Sequence, residues 1–231
     1  MYLQTSVFGF RANQQSSIEG KNIMSINSLI PDNSEKGTGL ILEYRDLYLF
    51  QVSGRKHRTE TGERFFAGIG GHCEEGEGFI QAAKREAVEE TGKTVEITHS
   101  ARTDIVQSNG GVVDTIELPS PAPRMIYKML DRRKSLPEKG PYFIACFNAY
   151  FTDDAPFELD PEEVSALIAI PEELLCGSLE RKIGLEDILS SGGEIVAGYL
   201  EASTMLFPLG TAVALANLLK RDKGLSEVDY D

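Results

Sequence analysis

The chain has 231 residues, 41% of them hydrophobic, and a formal net charge of -13. That length and apolar content are enough to bury a full core, as one large domain or one domain with extensions. The negative balance excludes a nucleic-acid scaffold or an anionic membrane surface as the main partner, whereas a small anion bridged by metal ions stays compatible with it. Three widely spaced cysteines, Cys73, Cys146 and Cys176, show no zinc spacing, and no secretory leader precedes them; a cytoplasmic location is the expectation.

In chain order, residues 1–12 form a weak strand-like run, and residues 23–30 read as a short strand. Pro31, Asp32, Asn33, Ser34 and Gly37 mark a loop. Residues 1–36 are therefore read as an N-terminal extension, either an added strand pair or a dimerisation arm. Two apolar runs, residues 40–44 and 47–52, flank Arg45 and Asp46 and predict a β-hairpin. Arg55, Lys56, His57, Arg58 and Arg64 then concentrate positive charge in an acidic chain. They read either as a solvated loop or as a phosphate clamp, because they lead through Phe65 and Phe66 into a glycine-rich loop.

That loop holds Gly70, Gly71 and Gly76 and feeds a helix that stops at Gly92. Glycines there allow positive φ and bare backbone beside a helix start, where a carbonyl can meet a metal or an N–H a phosphate. On the helix, Glu86, Glu89 and Glu90 fall at i, i+3 and i+4, on one face about one turn apart. Like charges so placed repel by roughly 0.2–0.5 kcal/mol per pair. A hard divalent cation would relieve that repulsion, although paired glutamates on helices also occur as plain solvated faces.

Beyond Gly92, Val95 and Ile97 predict a strand, and Gly110-Gly111 a hairpin turn between residues 103–106 and 112–116. Residues 124–130 and 142–151 are apolar runs, the second the strongest strand in the chain and expected at the sheet centre. Arg132, Arg133 and Lys134 between them read as a solvated loop or a second basic lip. An acidic loop carrying Asp153, Asp154, Glu158, Asp160, Glu162 and Glu163 precedes a strand at residues 164–170, and a short helix is expected at residues 172–175. The apolar stretch of residues 205–219 is shorter than the roughly 20 residues a membrane span needs, and Pro208, Gly210 and Asn217 interrupt it. It predicts a helix facing the core or a second copy of the chain, and no membrane partner.

The stretch from Gly71 to Gly92 resembles the box of the Nudix hydrolases: G, five residues, E, seven residues, then R-E-U-x-E-E-x-G-U, with U a bulky aliphatic. Gly71, Glu77, Arg85, Glu86, Glu89, Glu90 and Gly92 fill every fixed letter. Ala87 and Lys93 occupy the two aliphatic positions, Lys93 against the pattern. The resemblance implies an α/β/α sandwich around a mixed β-sheet, with a Nudix domain over residues 37–176 and a C-terminal helical segment, residues 177–231, packed on it.

The same resemblance implies a metal-dependent pyrophosphohydrolase acting on a small nucleotide, a nucleoside diphosphate linked to another moiety. ADP-ribose-like compounds, nucleotide sugars and nucleoside triphosphates all stay open, because residues 108–111 carry neither the proline nor the tyrosine that sorts subfamilies. Mg²⁺ or Mn²⁺ would be held by Gly70 (or Gly71), Glu77, Glu86, Glu89 and Glu90, with Arg85 fixing a carboxylate. Arg55, Arg58, Arg64, Gly71 and His72 would face substrate. The base is expected to be a helix glutamate or Glu163, with Glu162 and Glu158 behind it. Two other classes fit the fold: a ligand-binding regulator without turnover, and an isomerase, which would need a catalytic cysteine such as Cys73 or Cys146.

Overall fold

The computed structural model describes residues 25–57, 62–108, 111–129 and 141–224. Residues 1–24, Arg58, the basic run Arg132, Arg133 and Lys134, and the last seven residues lie outside the described residues.

The elements are α1 (Ile26–Leu29), β1 (Glu35–Tyr44), β2 (Leu47–Ser53), β3 (Arg64–Ala67), α2 (Phe79–Thr91), β4 (Val95–Ile97), β5 (Thr103–Gln107), β6 (Val112–Ile116) and β7 (Met125–Met129). They continue with β8 (Tyr142–Phe151), β9 (Val164–Ile170), α3 (Glu172–Gly177), α4 (Leu185–Ser190), β10 (Glu194–Gly198), β11 (Leu206–Pro208) and α5 (Thr211–Asp222). One mixed sheet runs β10-β9-β2-β1-β8-β7-β5-β6, with β3 on β2, β11 on β3 and β4 on β8.

The alternation of side chains decides which helix covers which face. Phe50 and Val52 of β2, Ile144 and Cys146 of β8, and Ala166, Ile168 and Ile170 of β9 point to one side, where Leu174 and Leu175 of α3, Ile188 of α4 and Leu215 of α5 complete a core. Leu40, Leu42, Leu49, Phe143, Phe147 and Leu167 point to the other, against Phe79, Ala83 and Ala87 of α2. The result is the expected sandwich, helices on both faces of a mixed sheet. The small alanines let α2 lie close to β1. Among the described residues no helix is long and apolar enough to cross a membrane.

The expected hairpin forms, with Arg45 (φ 53°) and Asp46 (φ 65°) both left-handed, as a two-residue turn between twisted strands requires. β8 is central, parallel to β1 and antiparallel to β7 and β4. Two expectations fail upstream. Residues 26–29 form a helical turn capped by Ser25 rather than a strand, since the Ser25 hydroxyl accepts from Ser28 N at 3.3 Å. Gly37 lies within β1 rather than in a loop. A side chain there would collide with the Tyr142 ring and the Gly71 carbonyl, so its glycine serves close approach and not a turn. Downstream, α5 forms as expected but begins at Thr211, and β10 and β11 add strands to a tail expected to be helical.

Candidate active site

α2 is set between two glycines. Gly78 precedes it, its N–H donating to the Gln81 side chain at 3.1 Å. Gly92 ends it at φ 71°, donating to the Val88 carbonyl at 2.8 Å. The glycine loop before the helix folds back on β1: Thr38 N donates to Gly71 O at 2.9 Å and Leu40 N to Ile69 O at 2.8 Å. Gly70 takes φ 146° with the Thr38 carbonyl where a Cβ would stand, and a Cβ on Gly71 would meet the Glu86 carboxylate at 2.4–2.8 Å. These glycines bring bare backbone against helix carboxylates.

The three helix acids do not share one environment. Glu90 follows Ala83 by seven residues and Ala87 by three, so it leaves the helix from the stripe that packs on the sheet. Its two oxygens accept from Gln51 Nε2 at 2.7 Å and from Gly70 N at 2.9 Å. Burial nevertheless pushes its carboxyl up to about 8, helped by the charges of Glu86 and Glu163. Glu86, with its side chain mostly covered, is also pushed up by burial, while Arg85 pulls it back. Glu89 faces solvent.

Arg85 ties the set together. Its Nε and Nη2 donate to the two oxygens of Glu77 at 3.0 Å each, its Nη1 to Glu86 and Glu89 at 2.8 Å each, and its Nη2 to the His72 carbonyl at 2.9 Å. The planar fork thus fixes the loop to the helix. Glu77 spends both oxygens on Arg85, which together with the Glu74 N–H holds its carboxyl below the usual range. Glu86 and Glu89 each give Arg85 one oxygen.

The other expected residues divide. His72 is exposed and stacks on Tyr142, centroids 4.7 Å apart and planes 15° from parallel. Arg55 pairs with Glu162 at 2.5 Å, and Arg64 donates to the Ser53 carbonyl at 2.8 Å. Glu163 accepts from Lys56 at 2.6 Å and sits 3.5 Å from His57, and the Lys56 hydrogen bond lowers its carboxyl. The structure therefore brings Gly70, Gly71, Glu77, Arg85, Glu86, Glu89 and Glu90 into one cluster and gives the basic residues 55 and 56 acidic partners. Glu158 instead meets the far end of α2, its N–H on the Thr91 carbonyl at 2.9 Å. Cys73 is half-buried and burial pushes its thiol up to about 11; Cys146 lies in the core and burial pushes it up as well.

Sequence reasoning passed over Gln51 and Lys56 as site residues. Gln51 had a signal: it is the one polar residue in the run from Leu47 to Val52, and alternation puts it on the α2 side with Leu49. Lys56 had none beyond its place in a basic stretch.

Among the described residues no group of three or more His, Cys, Asp or Glu already has a metal-holding arrangement. The donor chemistry fits a hard divalent cation all the same. Carboxylate oxygens of Glu86 and Glu90 lie beside the bare backbone of Gly71 and Gly70, Glu89 is one turn away on the same helix, and burial pushes the Glu86 and Glu90 carboxyls up.

Among known proteins, the NUDIX domain family matches residues 37–180. No curated protein matches the chain. Similar solved structures include a MutT protein from Methanosarcina mazei Go1, at 13% identity over 84% of this chain and 96% of that one, with a TM-score of 0.44. An Ap4A hydrolase from C. elegans matches at 17% identity over 62% of this chain and 84% of that one, TM-score 0.39. A UDP-X diphosphatase matches at 16% identity over 61% of this chain, TM-score 0.39, and the match spans 52% of that enzyme's length. The match over residues 37–180 takes in the glycine loop, α2 and the acidic loop before β9: the chain belongs to the NUDIX domain family.

Proposed function

We propose that the chain is a metal-dependent pyrophosphohydrolase that cleaves the phosphoanhydride of a nucleoside diphosphate linked to another moiety. The observation that carries this reading is the charge imbalance at α2. Three carboxylates, Glu77, Glu86 and Glu89, share one guanidinium, Glu90 beside them is held by Gln51 and the Gly70 N–H alone, and burial pushes both Glu86 and Glu90 up.

Mg²⁺ or Mn²⁺ would be held by Glu86, Glu89 and Glu90 with the Gly70 carbonyl; when bound, such an ion neutralises phosphoryl oxygens and acidifies water. Arg85 keeps Glu86 and Glu89 in fixed rotamers and is itself aimed by Glu77. Gln51 and the Gly70 N–H hold the Glu90 carboxylate against the sheet. A proton from attacking water would go either to a helix glutamate that also holds the ion, Glu89, or to Glu163. Glu89 is exposed at the cluster's rim, and Glu163 is the weaker base while Lys56 and His57 hold it. The diphosphate would compete for Lys56, freeing Glu163 as substrate arrives.

The test is release of phosphate-containing products from a panel of ADP-ribose, nucleotide sugars and nucleoside triphosphates, with and without Mg²⁺. Turnover that requires the ion is the expected result. A chain that binds these nucleotides and leaves them intact would be the regulator instead.

A further inference from the structure

Lys93 stands where the Nudix pattern asks for a bulky aliphatic residue, and it is buried, with 5% of its surface exposed. An ammonium taken out of water is costly unless its donors are met. Here they are. Lys93 Nζ donates to the Ala155 carbonyl at 2.6 Å, lies 3.4 Å from Asp153, and sits over the rings of Phe157 at 4.8 Å and Phe151 at 5.4 Å. The two rings meet edge to face with centroids 5.3 Å apart.

This cage begins the connection between β8 and β9. Residues 152–160 have no helix or strand of their own. What fixes them comes from the C-terminal end of α2 and the residues after it. Thr94 holds Asp153 through its N–H at 3.2 Å and its hydroxyl at 2.9 Å, and the Thr152 N–H returns to the Thr94 carbonyl at 3.1 Å. Gly92 leaves room for Glu158, whose Cβ lies 2.7 Å from where a side chain would start. The far end turns at Asp160 and delivers Glu163 next to Val164, which pairs with Ser53, two residues from the Gln51 that holds Glu90. The loop is thus a brace running from the end of the carboxylate helix to Glu163, whose backbone Gly54 N holds at 2.7 Å beside the end of β2.

We infer that Lys93 is a positioning residue: its caged ammonium fixes the start of the connection, residues 151–157, and with the backbone bonds that Gly54, Arg55 and Lys56 make to residues 161–163 sets where the Glu163 carboxylate stands. The inference rests on the hydrolase reading given above. A leucine or valine at this position would fill the apolar space but could not bond the Ala155 carbonyl.

The experiment is a double-mutant cycle on full-length protein with the nucleotide that the panel identifies. Lys93→Met keeps the length and loses the charge; Glu163→Gln keeps the shape and loses the base. Lys93→Met should lower kcat about tenfold with little change in KM, and in the Glu163→Gln background the same change should cost almost nothing, because residues acting through one group do not add. Amide hydrogen exchange of residues 153–160 should rise in Lys93→Met while that of α2 does not. If Lys93→Met does not fold, Phe157→Leu opens the cage from the other side and enters the cycle in its place. Fully additive losses, or a Glu163→Gln enzyme as fast as the parent, would overturn the assignment of Lys93 alone. A chain with no turnover on any nucleotide removes the hydrolase reading and this inference together.

Discussion

Among the described residues, the clusters of carboxylate and guanidinium groups around Asp104 and at α2 are balanced in opposite senses. At the β5 end, Asp104 is fully buried and meets Arg124, Arg221 and Arg102, with the Thr115 hydroxyl at 2.5 Å; Asp222 on α5 accepts from Arg102 at 2.6 Å and from Arg124 at 2.8 Å. Burial alone would raise the Asp104 carboxyl, but those donors outweigh it and hold it below the usual aspartate range. At α2 a single guanidinium serves Glu77, Glu86 and Glu89, Glu90 has only neutral donors, and burial wins at Glu86 and Glu90. The first cluster is complete and ties the end of α5 to β5 and β7. The second is short of positive charge, and that shortfall is what the proposed cation would make good.

The sharpest way to break this contrast is Glu86→Gln. At α2 it should remove turnover by about a thousandfold, since a lost preorganised charge contact at a reaction centre costs 10²–10³, while the melting temperature holds or rises because a poorly compensated buried charge has gone. Steady-state kinetics and thermal unfolding in Mg²⁺-free buffer read the two effects separately. A variant as active as the parent would remove the glutamate helix from the mechanism.

Asp104→Asn should do the reverse. Neutralising the buried acid among three arginines leaves them only the partly exposed Asp222 and costs on the order of 3 kcal/mol, which for a chain of this size lowers the melting temperature by about 10 °C. The folded fraction should keep its kcat. The pH dependence has a definite sign: a carboxyl held low in the folded state stabilises above its unfolded value near 4 and loses that contribution as pH falls through its lower folded value. Acid unfolding followed by circular dichroism should therefore be steeper below about pH 4 in the parent than in Asp104→Asn.

How much of this contrast is legible in the sequence follows from distance along the chain. The box reads out in one stretch because a helix puts residues three and four apart on one face, and the glycine loop is contiguous with it. Even there, the pattern treats Glu86, Glu89 and Glu90 alike. Only the register with Ala83 and Ala87 tells that Glu90 turns inward, a signal present in the sequence and outweighed by the conspicuous run of acids. The Asp104 cluster gathers residues 104, 115, 221 and 222 from β5, β6 and α5 and residues 102 and 124 from the turns before β5 and β7, and no local pattern joins them. The short strands β10 and β11 are illegible for another reason. One spans five residues and ends at a glycine, the other three and ends at a proline, and each exists because β9 or β3 offers an edge to it.

Arg85→Lys asks whether the guanidinium matters for its charge or for its shape. A lysine keeps one positive charge beside Glu77, Glu86 and Glu89 but cannot meet Glu77 with two parallel bonds and still reach two further acids. An outer contact of this kind is worth roughly 10- to 100-fold in activity or metal affinity. The loss should appear in kcat and in Mn²⁺ affinity measured by electron paramagnetic resonance, with the melting temperature little moved. An unchanged Mn²⁺ affinity would mean that the fork holds the loop and not the acids.

The smallest effect belongs to Cys73, which lies in the same loop two residues after Gly71. An isomerase built on this fold would need a thiolate there, and the chemistry of the loop works against one. Burial and the neighbouring charge of Glu77 push the thiol up to about 11, with Arg85 only partly opposing, so at neutral pH it is almost wholly protonated. Placed among carboxylates short of cation, a second anion would deepen the imbalance that defines the site. Cys73→Ser should therefore leave kcat and KM within about twofold of the parent, surface-type changes of this size being worth at most about 0.5 kcal/mol, and iodoacetamide should label Cys73 slowly at pH 7. Rapid labelling with loss of activity would reverse the charge argument at its centre, because a stable thiolate beside Glu77 and Glu86 requires positive charge that Arg85 alone does not supply.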